Sequence, residues 1–433
     1  MKPNVLFINT HDTGRHLHCY GVESVRSPRL DQLASEGCLF TNYFTVSTLC
    51  SPSRGASMTG RYPQHNGMLG LCHGAFGWRL NEGERHISHL FHDAGYYTIL
   101  LGHQHETVDI DRDLCFDDHG AHHAPTAQGH LPCDGVADAA VEFLKSDAAQ
   151  KAPFYFQLGF FETHRPFDFG EAEEDREKGV DIPEFLVDNE ASREEFALFQ
   201  GNIKKVDHHI GRVLDALKEA GLEENTLVLY TTDHGVDFPR AKTTLHDPGM
   251  EIALMMRWPG HIASGQKCDW LLSNVDLLPT ILDFAGIDKP DNLDGISFAG
   301  FEKGGDSPRK IHFAFQQAHT TGKEIRCART ESHKFLRNFE HWVCPTGPVN
   351  LATIHDKYYH KKYSVPKVQL YDMEKDPHEW NDVADDPAYA DVREQLDATL
   401  WAWLEEMDDP ILKGPIVTPF YEKSMADYKG AKA

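Results

Sequence analysis

The chain has 433 residues, in which 67 acidic side chains outnumber 42 basic ones and leave a formal charge of -25. That excess excludes a nucleic-acid binder or a polybasic membrane-surface protein, and an anionic substrate would need a localised cationic site to capture it. Hydrophobic residues at 40% and charged residues at 25% are globular values, and no apolar run approaches the roughly 20 residues of a membrane span.

Short apolar runs alternate with amphipathic stretches, the pattern of a doubly wound α/β core with a largely parallel sheet flanked by helices. In chain order, strands are predicted near Val5–Asn9, Tyr97–Leu101, Phe154–Phe160, Leu227–Thr231 and Ala253–Arg257. Helical periodicity covers Pro28–Glu36, Ile87–Ala94, Gly135–Lys145, Glu194–Ala220 and Val275–Ala285. The acidic segment Gly170–Gly179 reads as a solvated loop or helix start. From about Ser307 the pattern changes to antiparallel strands at Ile311–Phe315, Ile325–Arg329 and Lys334–Asn338, then a helix near Asp391–Glu406. The expected division is a catalytic α/β domain over residues 1–305 and a small α+β subdomain over 306–433.

The first apolar run, Val5-Leu6-Phe7-Ile8, is too short for a signal-peptide core. Nine cysteines, an odd number without close CxxC pairs, fit a reducing compartment, so a cytoplasmic protein is expected. No phosphate-binding GxGxxG or Walker loop is present.

Ligands of an open α/β sheet bind beyond the carboxyl ends of its strands, and the residues there are chemically dense. The first strand runs into His11-Asp12, the second into His103 and His105, the third into His164, and the fourth into Asp233-His234. Imidazole with carboxylate is the ligand set of a divalent metal or of acid–base catalysis. The pairs His122-His123 and His208-His209 fall in a loop and within a long helix, and read as structural.

The most specific segment is Cys50-Ser51-Pro52-Ser53-Arg54, followed by Thr59-Gly60. Pro52 suits the first turn of a helix with Ser51 as its N-cap, which would place Cys50 just before the helix. The backbone N–H groups and the Arg54 guanidinium would then favour negative charge on a group at position 50.

This segment resembles the sulfatase pattern CxPxR…TG, and the likeness extends over most of the chain. Asn4-Val5 through Asp12, Pro28–Ala34, Asp233-His234-Gly235 and Leu370-Tyr371-Asp372…Asp376-Pro377…Glu379 fall in family order, and Pro63–Met68 is similar to the N-sulfoglucosamine sulfohydrolase branch. The resemblance implies an alkaline phosphatase-like fold. It implies that Cys50 is converted to formylglycine by a maturation enzyme, that Arg54 stabilises it, and that Asp12 and Asp233 are metal ligands, beside Cys50, His11 and His234. His105, His164 and Lys242 match residues that contact the substrate's oxyanion or leaving group. A hydroxyl of the hydrated aldehyde would attack the sulfur, and the second hydroxyl would expel the sulfate.

Two departures bear on the chemistry. His11-Asp12 stands where the family has paired aspartates, and Asp233-His234 where it commonly has Asp-Asn, which favours manganese, iron or zinc over calcium for the one divalent ion. His103, a candidate substrate-binding residue, stands where the family has a lysine. An Asp-His pair is also associated with phosphonate monoester hydrolase and phosphodiesterase relatives. Three functions stay open: hydrolysis of a small anionic sulfate ester or sulfamate, hydrolysis of a phosphorus ester by the same residues, and non-catalytic metal binding with Cys50 unmodified. The oligomeric state is left open.

Overall fold

The computed structural model describes residues 2–73, 76–119, 131–317, 324–340 and 365–430. Among the described residues nine strands occur before residue 305: β1 (Asn4–Thr10), β2 (Cys38–Phe40), β3 (Tyr43–Phe44), β4 (Tyr97–Gly102), β5 (Phe154–Phe160), β6 (Thr226–Thr232), β7 (Leu254–Arg257), β8 (Gln266–Cys268) and β9 (Leu272–Ser273). Seven form one sheet in the order β4-β5-β1-β6-β7-β2-β8, and β3 pairs with β9 separately. Only β7 runs against the other six, through its antiparallel registers with β6 and β2.

Every residue of β1, β5 and β6 is buried, because helices cover both faces of the sheet. Alternation sorts the side chains. Leu6, Ile8, Phe156, Leu158 and Val228 pack on one face with helices Pro28–Glu36, Cys133–Leu144 and Glu190–Glu219. Val5, Phe7, Tyr155, Leu227 and Leu229 pack on the other with helices Ile87–Asp93 and Leu277–Ala285. The doubly wound α/β architecture expected from the sequence is the one observed. The short strands β2, β3, β8 and β9 add to it.

A second sheet, β10 (His312–Gln316), β11 (Ile325–Arg329), β12 (His333–Asn338) and β13 (Val368–Asp372), is antiparallel throughout. Helix Ala390–Glu406 covers it with Leu396, Leu400, Trp403 and Leu404. The same cluster takes in Val46, Ala56 and Tyr62 from the first part of the chain, so this sheet closes over the segment that carries Cys50.

A buried ionic network fastens the two sheets together. Arg329 Nη2 and Lys334 Nζ lie 2.9 and 2.7 Å from the two oxygens of Asp247. Lys334 also reaches Glu379 Oε1 at 2.6 Å, and Glu379 Oε2 accepts the Asp247 amide at 2.7 Å. Asp247 follows β6, so the loop leaving the strand that delivers Asp233 is held by the second sheet.

The acidic segment Gly170–Gly179 departs from expectation at one residue: Asp175 is buried and bonds Arg26 Nε at 2.6 Å. None of the eight described cysteines is disulfide-bonded. Among the described residues no helix is long and apolar enough to cross a membrane. The pair His122-His123, expected in a loop, lies outside the described residues.

Candidate active site

β4, β5, β1 and β6 are adjacent and mutually parallel, so their carboxyl ends share one edge. The backbone there is tight. Gly102 has φ +78, and a Cβ on it would sit 2.1 Å from the Gly159 carbonyl oxygen; a Cβ on Gly159 would sit 1.7 Å from that of His103. Glycine at both positions lets β4 and β5 close on each other and turns His103 into the space beyond β1. Asp12 adopts φ +49, unusual for a residue with a side chain, and its amide donates to Asp233 Oδ1 at 3.0 Å.

His11, Asp12, Cys50, Asp233 and His234 are all buried and offer ligand atoms within 4.8 Å of one another. His11 Nδ1 lies 2.7 Å from Asp12 Oδ1 and 3.3 Å from Asp233 Oδ2. His234 Nδ1 lies 3.0 Å from the Gly235 carbonyl, so that nitrogen carries the proton and Nε2 carries the lone pair. That Nε2 faces Cys50 Sγ at 3.3 Å and Asp12 Oδ1 at 3.2 Å. A backbone acceptor fixing the tautomer so that the other nitrogen points into a cluster of carboxylates is how a ligating histidine is held.

Cationic groups close the cluster. Lys242 Nζ bonds Asp12 Oδ2 at 2.7 Å, and Arg54 Nε bonds Asp233 Oδ2 at 3.1 Å. Arg54 Nη2 is buried and has no hydrogen-bond partner among the described residues, a donor that an anion would satisfy. Burial favours the neutral acid of Asp12, but Lys242 and His164 override it and hold the carboxyl at about 2. Burial, with His164 and Arg54, lowers the His11 imidazole well below its ordinary value, which keeps it neutral. Burial, then Lys242, also lowers His164.

The helix bearing Cys50 begins two residues earlier than expected, spanning Cys50–Thr59 with Leu49 in place of Ser51 as its N-cap. Ser51 is therefore inside the first turn. Its hydroxyl accepts the Cys72 amide at 3.1 Å, and so is committed to a neighbouring loop rather than to the helix end. For the unmodified thiol, burial pushes Cys50 well above its ordinary value, and Lys242 offsets this only in part.

Asn274, which nothing in the sequence singled out, anchors this helix from 220 residues away in the chain. Its Nδ2 donates to the Ser53 carbonyl at 2.9 Å and lies 3.0 Å from Ser57 Oγ, and its Oδ1 accepts the Val46 amide at 3.0 Å. Thr163 was also missed, and its hydroxyl donates to the His11 carbonyl.

The remaining predicted residues line the same space. His164 Nδ1 donates to the Arg165 carbonyl, and its Nε2 lies 3.9 Å from Asp12 Oδ2. The His103 and His105 rings are 4.9 and 5.4 Å from that of His11, centre to centre. His73, another unforeseen neighbour, stacks on His105 at 4.5 Å. All the predicted site residues thus meet at one place, whereas His208 and His209 sit on the helix Glu190–Glu219.

Comparison with known proteins follows the same lines. The sulfatase family profile matches residues 3–287, and the profile of the N-sulphoglucosamine sulphohydrolase C-terminal region matches 238–344. An ulvan-active sulfatase of Formosa agariphila is 28% identical, with 96% of this chain and 84% of that protein aligned. The N-sulphoglucosamine sulphohydrolase of Homo sapiens is 27% identical, with 95% and 92% aligned. Among solved structures, a 2-O GAG sulfatase superposes with a TM-score of 0.75 at 22% identity, covering 96% of this chain and 95% of its own. The phosphonate monoester hydrolase of Agrobacterium radiobacter gives 0.71 at 21%, covering 94% and 96%.

Proposed function

The chain belongs to the sulfatase family of sulfuric ester hydrolases, and on that premise we propose that it cleaves a small organic sulfate ester or sulfamate, borne on a sugar, using formylglycine formed from Cys50 and one divalent metal ion. The observation that carries this reading is the convergence of Cys50, Asp12, Asp233, His234 and His11 within 4.8 Å. The ulvan-active sulfatase and the N-sulphoglucosamine sulphohydrolase among the relatives support a sulfated sugar.

Asp12, Asp233, His234 and the group at position 50 would hold the metal, with His11 in the same cluster. The His234 imidazole among these ligands favours manganese, iron or zinc over calcium. Bound there, the ion would acidify the nucleophile and neutralise charge on the transferred group. Arg54 Nη2 supplies a buried donor for the oxygen at position 50. Lys242, held by Asp12 at 2.7 Å, supplies fixed positive charge for the sulfuryl oxygens. His164 Nδ1 donates to a backbone carbonyl, so Nε2 faces the site with its lone pair and would deliver a proton to the leaving oxygen or nitrogen only from the doubly protonated imidazolium. His105 can serve the same purpose, and His103 would contact the substrate.

The free thiols support a cytoplasmic location, where a maturation enzyme would convert Cys50. A second reading, hydrolysis of a phosphonate monoester or phosphodiester, is favoured by the Asp233-His234 pair. The test is the mass of the peptide spanning Cys50, from protein made in its natural host, beside sulfate-ester turnover before and after chelation. Aldehyde at position 50 with chelator-sensitive turnover is expected. Undiminished turnover with an intact thiol contradicts the proposal.

A further inference from the structure

His11 has two faces, and the cluster just described uses one of them. Nδ1 points at Asp12 and Asp233, as a donor to Asp12 Oδ1 at 2.7 Å. The proton on Nδ1 leaves the lone pair on Nε2, which points away from the carboxylates and lies 3.4 Å from His105 Nδ1. This separation is longer than the roughly 2.7–3.2 Å of an ordinary N–H···O bond. It matches the separation of about 3.4 Å between two imidazole nitrogens that each bind one tetrahedral ion at about 2.0–2.1 Å. His103 completes the group: His11, His103 and His105 offer ligand atoms within 4.8 Å of one another.

We propose that His11 Nε2, His103 and His105 hold a second divalent transition-metal ion beside the one assigned to Asp12, Asp233 and His234. Three imidazoles with an open fourth position suit zinc, cobalt or another borderline ion and exclude calcium and magnesium. The surroundings already orient the ligands. Asp12 fixes the His11 tautomer as a carboxylate does in a carboxylate–histidine–metal triad. His73 stacks on His105 with an interplanar angle of 16°. The His103 amide donates to the Gly159 carbonyl at 2.9 Å. Gln104 ties the loop that follows, its Oε1 accepting the Glu106 and Thr107 amides at 2.8 and 3.1 Å. Bound there, the ion would add two positive charges beside the anion site of a chain whose net charge is -25.

The proposal goes beyond the one-metal reading and fails separately from it. Full-length protein is equilibrated with Zn²⁺, dialysed and assayed for bound metal by mass spectrometry, and the visible absorption of the Co²⁺-loaded protein is recorded in parallel. Two equivalents are expected, with a tetrahedral cobalt band that disappears, together with one equivalent, in both His103→Ala and His105→Ala. Circular dichroism checks that these variants are folded, and His103→Asn and His105→Asn serve if they are not. Asp233→Asn should lose the other equivalent and keep the histidine-dependent one. One equivalent in the unmodified chain that survives both histidine substitutions overturns the proposal, as do two equivalents that survive them. One equivalent lost only on the histidine substitutions upholds it and overturns the assignment of a metal to Asp12, Asp233 and His234.

Discussion

Two buried charge clusters lie on either side of the segment that follows β6, and they are built on opposite principles. Around Asp247 each ionised group has a chain partner at bonding distance, Arg329 and Lys334 on Asp247 and Lys334 on Glu379, and His246 Nδ1 lies 3.1 Å from Glu379 Oε1. Around Asp12 the carboxylates are also paired, yet Arg54 keeps a buried donor unspent, and His234 aims a lone pair at Cys50. The first cluster satisfies itself and fastens two sheets. The second keeps donors and lone pairs for something the chain does not itself provide. Burial of charge alone therefore does not identify an active site; unspent hydrogen-bonding and ligating capacity does.

The contrast is broken most strongly at position 50. Cys50→Ala should lower kcat/KM for a sulfate ester by roughly 10⁴-fold or more while leaving the denaturation midpoint nearly unchanged, since the chemistry is lost and little packing with it. Lys334→Met should do the reverse. It leaves Asp247 and Glu379 buried with too few partners and should cost about 3–5 kcal/mol in urea unfolding, while kcat per folded molecule stays within about twofold.

Acid sharpens the same difference. Burial works to raise the Glu379 carboxyl, but Lys334 and His246 bring it down from its ordinary 4.5 to about 2. Its folded value is the lower one, so the stability it contributes is complete above pH 4.5 and is lost as pH falls toward 2. Urea midpoints followed across that window should fall steeply in the unmodified chain and less steeply in Lys334→Met.

A smaller effect is expected at Asn274→Ala, which removes the donor and acceptor under the Cys50 helix. A stability loss of about 1–3 kcal/mol should accompany reduced kcat, read by thermal unfolding and steady-state kinetics on one preparation. The smallest is at His208→Ala. This exposed histidine of the long helix belongs to neither cluster, and its loss should stay within about 0.5 kcal/mol and leave kcat/KM unchanged.

Much of the catalytic edge was readable because it is written locally. Each central strand is an apolar run that ends in a polar pair, as at Val5–Asn9 before His11-Asp12, and parallel strands put such ends on one side. Partners distant in the chain were not readable. Asn274 is a single amide with no local pattern, and its role exists only once helix Leu277–Ala285 packs beneath Cys50–Thr59. Ser51 was misassigned because the helix starts at Cys50, which puts its hydroxyl inside the first turn, where it accepts the Cys72 amide, a partner invisible from local spacing. The strands β2, β3, β8 and β9 escaped because runs of two or three residues show no period. The two faces of His11 emerged only from geometry, since the sequence gives a histidine one letter and not two nitrogens.

The most direct measurement is kcat/KM for an aryl sulfate against the matched aryl phosphonate, on metal-replete protein whose aldehyde at position 50 has been verified by mass. A ratio strongly favouring the sulfate is expected, with His11 and His234 then reflecting the choice of metal. A ratio favouring the phosphonate contradicts the proposed function and makes those histidines the mark of a changed substrate class.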